Sequence, residues 1–249
     1  MSEETVIGMD RPSAAPAPVR DLPKSSRLIL TLGLISMLSG LCIVGVYELT
    51  KPRILANQQA ALEQAVFSVL PEATQRRNYR LDENGLTPLP DTATAEANVF
   101  AGYDAEGRLA GLALEGSARG YQDVVRILYG YSLEKEAIIG MTVLQSTETP
   151  GLGDKVETDP AFLANFDALD ARLNEDRTAM AHEIRTVKSG TKTEPWQVDA
   201  ISGATVTSEA IGDALRTSTN ALLPLLARHR DQLVTQLEPS DATPDPAVD

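Results

Sequence analysis

The sequence predicts an α+β protein, with a single N-terminal transmembrane helix followed by an antiparallel-sheet domain that has flanking helices. Residues 28–47 form an apolar run without a charged residue. Two later segments, 97–116 and 123–146, are rich in alternating, β-branched and aromatic residues and carry turn sequences in their middle, which is typical of β-hairpins. From Ser208 to Leu226 the apolar residues then recur at helical spacing.

The apolar run reads LILTLGLISMLSGLCIVGVY. As a helix it is long enough to cross a hydrocarbon layer of roughly 30 Å. A buried core helix would normally carry a polar stripe, which this run lacks. A cleaved signal peptide would have a shorter apolar region and a small-x-small cleavage site, where this chain has Val46-Tyr47-Glu48. We therefore favour an uncleaved single-span anchor.

Charges on either side of the run predict its orientation. Four basic residues precede it and two follow it: Arg11, Arg20, Lys24 and Arg27, then Lys51 and Arg53. By the positive-inside rule, we expect a flexible cytoplasmic tail at residues 1–27 and a periplasmic main domain, in a protein of the cell inner membrane. The net charge of −13 argues against binding nucleic acid.

The main domain is predicted to span residues 48–227, and the Pro- and Asp-rich residues 228–249 are predicted to be a disordered acidic tail. A helix is expected to enter the domain at residues 54–70, either continuing the anchor or following a break at Pro52. Further along the chain, Asp159-Pro160 is predicted to open a short helix through Leu169, because proline suits the first helical position.

Cysteine and histidine usage restricts the chemistry. Cys42 is the only cysteine, so the chain can form no internal disulfide and no multi-cysteine metal site. The two histidines, His182 and His229, make a zinc or haem site improbable, and we predict neither a metal site nor a catalytic residue.

A loop follows the second predicted hairpin and reads ETPGLGDK, residues 148–155. Its two glycines and its polar residues allow backbone N–H groups to approach a ligand closely. A Pro-Gly turn without a ligand explains the same residues, so this loop alone does not establish a binding site.

The segment DAISGATVTS, residues 199–208, comes immediately before the last predicted helix. Free N–H groups and the positive end of the helix dipole make such a turn suitable for a phosphate group. A hydroxyl-rich N-cap is the simpler interpretation, but a cap needs only one of these hydroxyls.

Together these motifs resemble a known family. The string Asp-x-x-Ser-Gly-Ala-Thr, ending at Thr205, is similar to the flavinylation motif of periplasmic FMN-binding domains, and ETPGLGDK resembles the second signature of those domains. The span ending in Thr50-Lys51-Pro52-Arg53-Ile54, with GYQDVVRILYGYS upstream of the loop, resembles the G-subunit family of Rnf electron-transport complexes.

The resemblance implies a role for each motif residue. Thr205 would carry FMN through a phosphodiester bond, and Asp199 would match the acid of the motif. Glu148, Thr149 and Leu152 would line the isoalloxazine ring, with Gly151 allowing close approach. The other cofactor-binding candidates are Ser202, Gly203, Ala204, Thr207 and Ser208. For Trp196, packing under the attachment loop is at least as good an interpretation as a flavin contact. Tyr121 is a second candidate flavin contact, but its Gly-Tyr turn is interpreted as mainly structural.

The implied function is electron transfer, without substrate turnover by this chain alone. The resemblance implies a component of an ion-translocating oxidoreductase that moves electrons between ferredoxin and NAD. Its partners would be the other membrane subunits and, during maturation, a flavin transferase. Alternatives are the C subunit of the sodium-pumping NADH:quinone reductase, a stand-alone membrane-anchored flavin reductase, and an anchored binding module without redox function.

Overall fold

The computed structural model describes residues 25–91 and 93–234, which divide into two units, one ending at Ile54 and the other beginning at Leu55. Residues 1–24 of the predicted cytoplasmic tail and residues 235–249 of the predicted acidic tail lie outside the described residues.

The first helix, α1 (Ser25–Val69), contains the apolar run. Among the described residues it is the only helix long and apolar enough to cross a membrane. The side chains of its apolar segment are exposed, which excludes the buried core helix considered above. Pro52 lies inside α1 without ending it, so the entry helix continues the anchor helix instead of following a break.

The domain contains a seven-stranded antiparallel sheet in the order β2-β1-β3-β4-β5-β6-β7. Its strands are β1 (Gln75–Asp82), β2 (Gly85–Leu89), β3 (Val99–Tyr103), β4 (Leu109–Arg119), β5 (Val124–Ser132), β6 (Ala137–Gln145) and β7 (Leu169–Asp170). Both predicted hairpins are confirmed, as β3–β4 and β5–β6. The α+β fold class is confirmed with them.

Helices cover both faces of this sheet. On one face, the last turns of α1 place Val66 and Val69 against Phe100, Ala113 and Leu128. The other face packs against α3 (Thr205–Arg228), the helix predicted from Ser208 to Leu226. The apolar side chains of α3 in that cluster are Ile211, Ala214, Leu215, Leu223 and Leu226. Because both faces of the sheet are covered, every residue of β3 is buried, and its sequence does not alternate between apolar and polar residues.

Buried polar contacts also hold α3 on the sheet. The Ser218 hydroxyl donates to the carbonyl oxygen of Glu115 at 2.7 Å. The Tyr129 hydroxyl lies 2.9 Å from Ser218 Oγ and must therefore be the donor in that pair. Burial raises the pKa of the Tyr129 phenol above its ordinary value, so this donor keeps its proton at neutral pH.

The structure corrects several sequence-based expectations. Helix α2 (Pro160–Leu163) and the 3₁₀ turn Ala164–Phe166 replace the single helix predicted through Leu169, which lies in β7 instead. Strands β1 and β2 were not predicted. Nor was a two-stranded parallel sheet formed by β8 (Arg185–Val187) and β9 (Gln197–Asp199).

The folded part of the chain also extends beyond residue 227, where the acidic tail was predicted to begin. Helix α4 (Arg230–Val234) follows α3, and its Leu233 side chain is fully buried. The carbonyl oxygen of Leu233 accepts a hydrogen bond from the buried Tyr103 hydroxyl at 3.4 Å. Gln232 Oε1 also accepts a hydrogen bond from the N–H group of Leu86 at 3.3 Å, so more than one contact joins this short segment to the domain.

We predict that Leu128→Ala lowers the free energy of unfolding by about 2–5 kcal/mol, because it opens a cavity between the sheet and the end of α1. Val124→Ala is the matched control, since Val124 lies in the same strand and is 42% exposed. We expect the control to cost about 0.5 kcal/mol or less. Urea unfolding followed by the fluorescence of Trp196, the only tryptophan, measures both. Equal losses of unfolding free energy in the two variants would contradict the packing of α1 against this face of the sheet.

Candidate functional site

An open cleft of about 480 Å³ lies where the first turn of α3 meets the loop after β6. We call it the α3 cleft. Its lining residues are Tyr121, Glu148, Thr149, Leu152, Gly153, Gly203, Ala204, Thr205, Val206 and Thr207. The structure thus brings together the two motifs that the sequence places about fifty residues apart.

Each motif forms a tight turn with a glycine in the left-handed region. In the loop after β6, the carbonyl oxygen of Thr149 accepts from the N–H groups of Leu152 and Gly153, both at 3.1 Å. Gly151 has φ +80° and Gly203 has φ +85°, conformations that residues with a Cβ adopt only under strain. No heavy atom lies within 4 Å of a Cβ built on either glycine, so both turns border open space.

Thr205 is the first residue of α3 and is exposed at the α3 cleft. The N-cap residue is Ala204, whose side chain can make no capping hydrogen bond. Within the described part of the chain, the hydroxyl groups of Thr205 and of the exposed Ser202 have no hydrogen-bond partner. Thr205 therefore presents a free hydroxyl beside the uncapped N–H groups of a helix N-terminus.

The other two hydroxyls of the segment are used inside the protein. Thr207 is buried, and its hydroxyl donates to Glu148 Oε2 at 2.7 Å. Ser208 is also buried; its hydroxyl donates to the carbonyl oxygen of Ala204 at 2.9 Å and accepts from the N–H group of Ile201 at 3.1 Å. Of the hydroxyls named above as cofactor-binding candidates, these two instead form hydrogen bonds that hold the turn.

Glu148 connects the loop after β6 to a third segment. Its Oε1 accepts from the backbone N–H group of Gln122 at 3.1 Å, and the Gln122 side chain donates to the Thr149 hydroxyl at 2.6 Å. Sequence reasoning missed Gln122, which follows Tyr121 in the turn between β4 and β5. An amide side chain in a surface turn gives no sequence signal of such a role.

Asp199 does not line the α3 cleft. Its carboxylate accepts from the N–H groups of Gly190 at 2.9 Å and Thr191 at 3.3 Å, and so it caps the turn before β9. The side chain of the buried Asn165 accepts a hydrogen bond from the N–H group of Asp199 and donates one to its carbonyl oxygen. Lys192 Nζ donates to Asn165 Oδ1 at 3.0 Å; burial lowers the pKa of this ammonium, while the Asp199 charge acts in the opposite direction.

The aromatic and apolar residues near the motifs separate into two groups. Trp196 stacks on His182 with ring centroids 3.9 Å apart and does not line the α3 cleft. Tyr121, Leu152 and Val206 do line it and are 71%, 51% and 48% exposed. Val206 was missed as a site residue although it lies in the segment 199–208, because only the polar and small residues of that segment were considered.

The residues of the α3 cleft suit a flavin nucleotide. Its volume lies within the range of about 300–1,000 Å³ that is usual for small-molecule sites. The exposed apolar side chains at its rim fit a planar aromatic ring, and the helix N-terminus fits a phosphate group. Among the residues that the structure describes, no cluster of three or more His, Cys, Asp or Glu side chains could hold a metal ion.

Comparison with known proteins agrees with this geometry. Residues 120–220 match the FMN-binding domain family, and residues 25–69 match the RnfG N-terminal region. The fold resembles the solved structure of the C subunit of Na(+)-translocating NADH-quinone reductase from Parabacteroides distasonis, with a TM-score of 0.52 and 16% identity, over 70% of this chain and 96% of that chain. The chain is thus a membrane-anchored protein with an FMN-binding domain.

Two curated relatives are G subunits of the ion-translocating oxidoreductase complex. The protein from Methanosarcina acetivorans is 28% identical over 80% of this chain and 95% of its own length. The protein from Cereibacter sphaeroides is 29% identical over 91% of this chain and 97% of its own length. This chain belongs to the same G-subunit family.

We predict that Asp199→Ala lowers the free energy of unfolding by about 1–3 kcal/mol, because two backbone N–H groups lose a charged acceptor. Hydrogen exchange at Gly190 and Thr191 should also accelerate. Asp213→Ala is the control: it removes an exposed ion pair with Arg216 on α3, so it should cost about 0.5 kcal/mol or less. An equally small effect of both variants would show that Asp199 does not stabilise the turn.

Proposed function

We propose that the chain relays electrons through an FMN bound in the α3 cleft. It would be the flavoprotein component of an Rnf-type complex, which couples electron transfer between ferredoxin and NAD to ion translocation. The observation that carries this proposal is the free Thr205 hydroxyl, exposed in the α3 cleft at the start of α3. Bound FMN would supply one- and two-electron transfer, and the protein sets its position and surroundings.

We infer that the flavin is attached covalently to Thr205. An O–P bond would form between Thr205 Oγ1 and the FMN phosphorus, with a phosphoanhydride bond of a flavin dinucleotide breaking. The leaving nucleotide phosphate takes the electron pair, and the hydroxyl proton passes to a base of the flavin transferase. No described residue of the α3 cleft is a histidine or cysteine, and both oxygens of its one carboxylate, Glu148, already accept hydrogen bonds inside the protein, which supports an external transferase as the source of that base.

The remaining cleft residues would then hold the attached group. The phosphodiester would lie at the N–H groups of the first turn of α3, whose partial positive charge favours an anion. Tyr121, Leu152 and Val206 would cover the faces and edge of the flavin ring. A tether of this kind prevents loss of the cofactor by dilution outside the cytoplasm.

The anchor helix would place the domain in the periplasm, with the N-terminus in the cytoplasm, as the excess of basic residues before the span indicates. Other membrane subunits of the complex would be its partners. The alternative, the C subunit of the sodium-pumping reductase, shares the fold, so the sheet and helices do not separate the two. The match of residues 25–69 to the RnfG N-terminal region favours the Rnf complex.

We predict that Thr205→Val abolishes covalent flavin, because it removes the oxygen that must bond to phosphorus. Thr207→Val leaves that oxygen in place, and flavin should still be attached after prolonged incubation. The measurement is intact mass after co-expression with the transferase, which reports the mass of FMN less one water. Retention of that mass in Thr205→Val, with its loss in Thr207→Val, would place the attachment site two residues later.

We predict that a reporter enzyme active only in the periplasm works when it is fused after Asp249. A reporter active only in the cytoplasm, fused at the same point, is the control and should be silent. A silent periplasmic reporter together with an active cytoplasmic reporter would show that the orientation is the opposite of the one proposed.

A further inference from the structure

A single buried carboxylate joins the three segments that form the α3 cleft. Glu148 is only 8% exposed, and each of its oxygens accepts a hydrogen bond from a different segment. Oε1 accepts from the N–H group of Gln122 in the turn after β4, and Oε2 accepts from the hydroxyl of Thr207 in the first turn of α3. A buried carboxylate needs such partners, because its desolvation is otherwise costly.

Two glycines make room for this carboxylate. A Cβ at Gly120 would lie 2.5 Å from Glu148 Oε1, and a Cβ at Gly153 would lie 2.7 Å from Glu148 Oε2 and 2.9 Å from Thr207 Oγ1. Any other residue at these positions would displace the carboxylate or the hydroxyl. The absence of a side chain at Gly120 and Gly153 therefore allows the Glu148–Thr207 contact.

The Glu148–Thr207 hydrogen bond acts on the turn that carries Thr205. Ala204 supplies no side-chain cap, so the first turn of α3 lacks the usual hydrogen bond that fixes a helix start. Thr207 is 2% exposed and points inward, whereas Thr205, two residues earlier, is exposed to the α3 cleft. Fixing Thr207 inward therefore fixes Thr205 outward.

We propose that Glu148 is a positioning residue: its hydrogen bond to the Thr207 hydroxyl holds the first turn of α3, whose backbone N–H groups stay uncapped, so that the Thr205 hydroxyl faces the α3 cleft. This inference deepens the proposed function, since the reaction it assists is attachment at Thr205. The role is geometric and does not need the negative charge. A glutamine at 148 can accept from the N–H group of Gln122 through Oε1 and donate to Thr207 Oγ1 through Nε2.

The first test needs no flavin and uses hydrogen exchange of the full chain in detergent, read at residues 201–210. Glu148→Ala and Thr207→Val should each accelerate exchange in the first turn of α3 by roughly tenfold. Glu148→Gln and Thr207→Ser should stay close to wild type. Thr217→Val is the matched control, because Thr217 lies exposed on the same helix and has no partner among the described residues. The double variant Glu148→Ala/Thr207→Val should be no faster than either single variant.

The second test measures the rate at which the transferase attaches flavin, followed by intact mass. Glu148→Ala and Thr207→Val should slow attachment about tenfold and leave its endpoint at Thr205, whereas Glu148→Gln should restore the rate. Wild-type exchange in Glu148→Ala, or failure of Glu148→Gln to rescue both exchange and rate, overturns the proposal. If Glu148→Ala does not fold, Thr207→Val against Thr207→Ser decides the same question. If even the wild type takes up no covalent flavin, the proposed attachment is wrong, and the exchange measurement still decides the role of Glu148.

Discussion

The packing of α3 across the seven-stranded sheet determines where the site lies. Ile211, Leu215 and Leu223 bury the apolar face of the helix against β4 and β5, and Ser218 fixes its register on the sheet through the carbonyl oxygen of Glu115. Because a helix packed along such a stripe cannot rotate without exposing it, its N-terminus is held over the loop after β6. The α3 cleft is the space left between that N-terminus and the loop.

Within the cleft, the polar side chains divide into those that build it and those that it offers to a ligand. Glu148, Thr207 and Ser208 are buried and have their hydrogen bonds satisfied inside the protein. Thr205 and Ser202 are exposed, with no partner among the described residues. This division follows from burial, since a polar group without water must find a protein partner. Burial thus distinguishes hydroxyl residues of the segment 199–208 that look equivalent in the sequence motif.

Membership of the G-subunit family agrees with both described units of the chain. An apolar helix with exposed side chains at residues 28–49 is suited to lipid, whereas the domain from Leu55 onward buries its own core. The α3 cleft offers a ligand hydroxyls, apolar side chains and a helix N-terminus.

The sequence by itself determined the anchor, both central hairpins, the last helix and the two motifs of the site, because each depends on local periodicity or on glycine and proline turns. It did not predict β2 or β1, and the pairing of β1 with β3 joins Tyr79 to Val99 across twenty residues of chain. Only the tertiary structure decided which hydroxyl of the segment 199–208 faces the cleft, and that Asp199 caps a turn outside it. The first outcome depends on Glu148, which is 59 residues from Thr207, and the second on Asn165, which is 34 residues from Asp199. No local pattern records which distant partner a buried polar group will find.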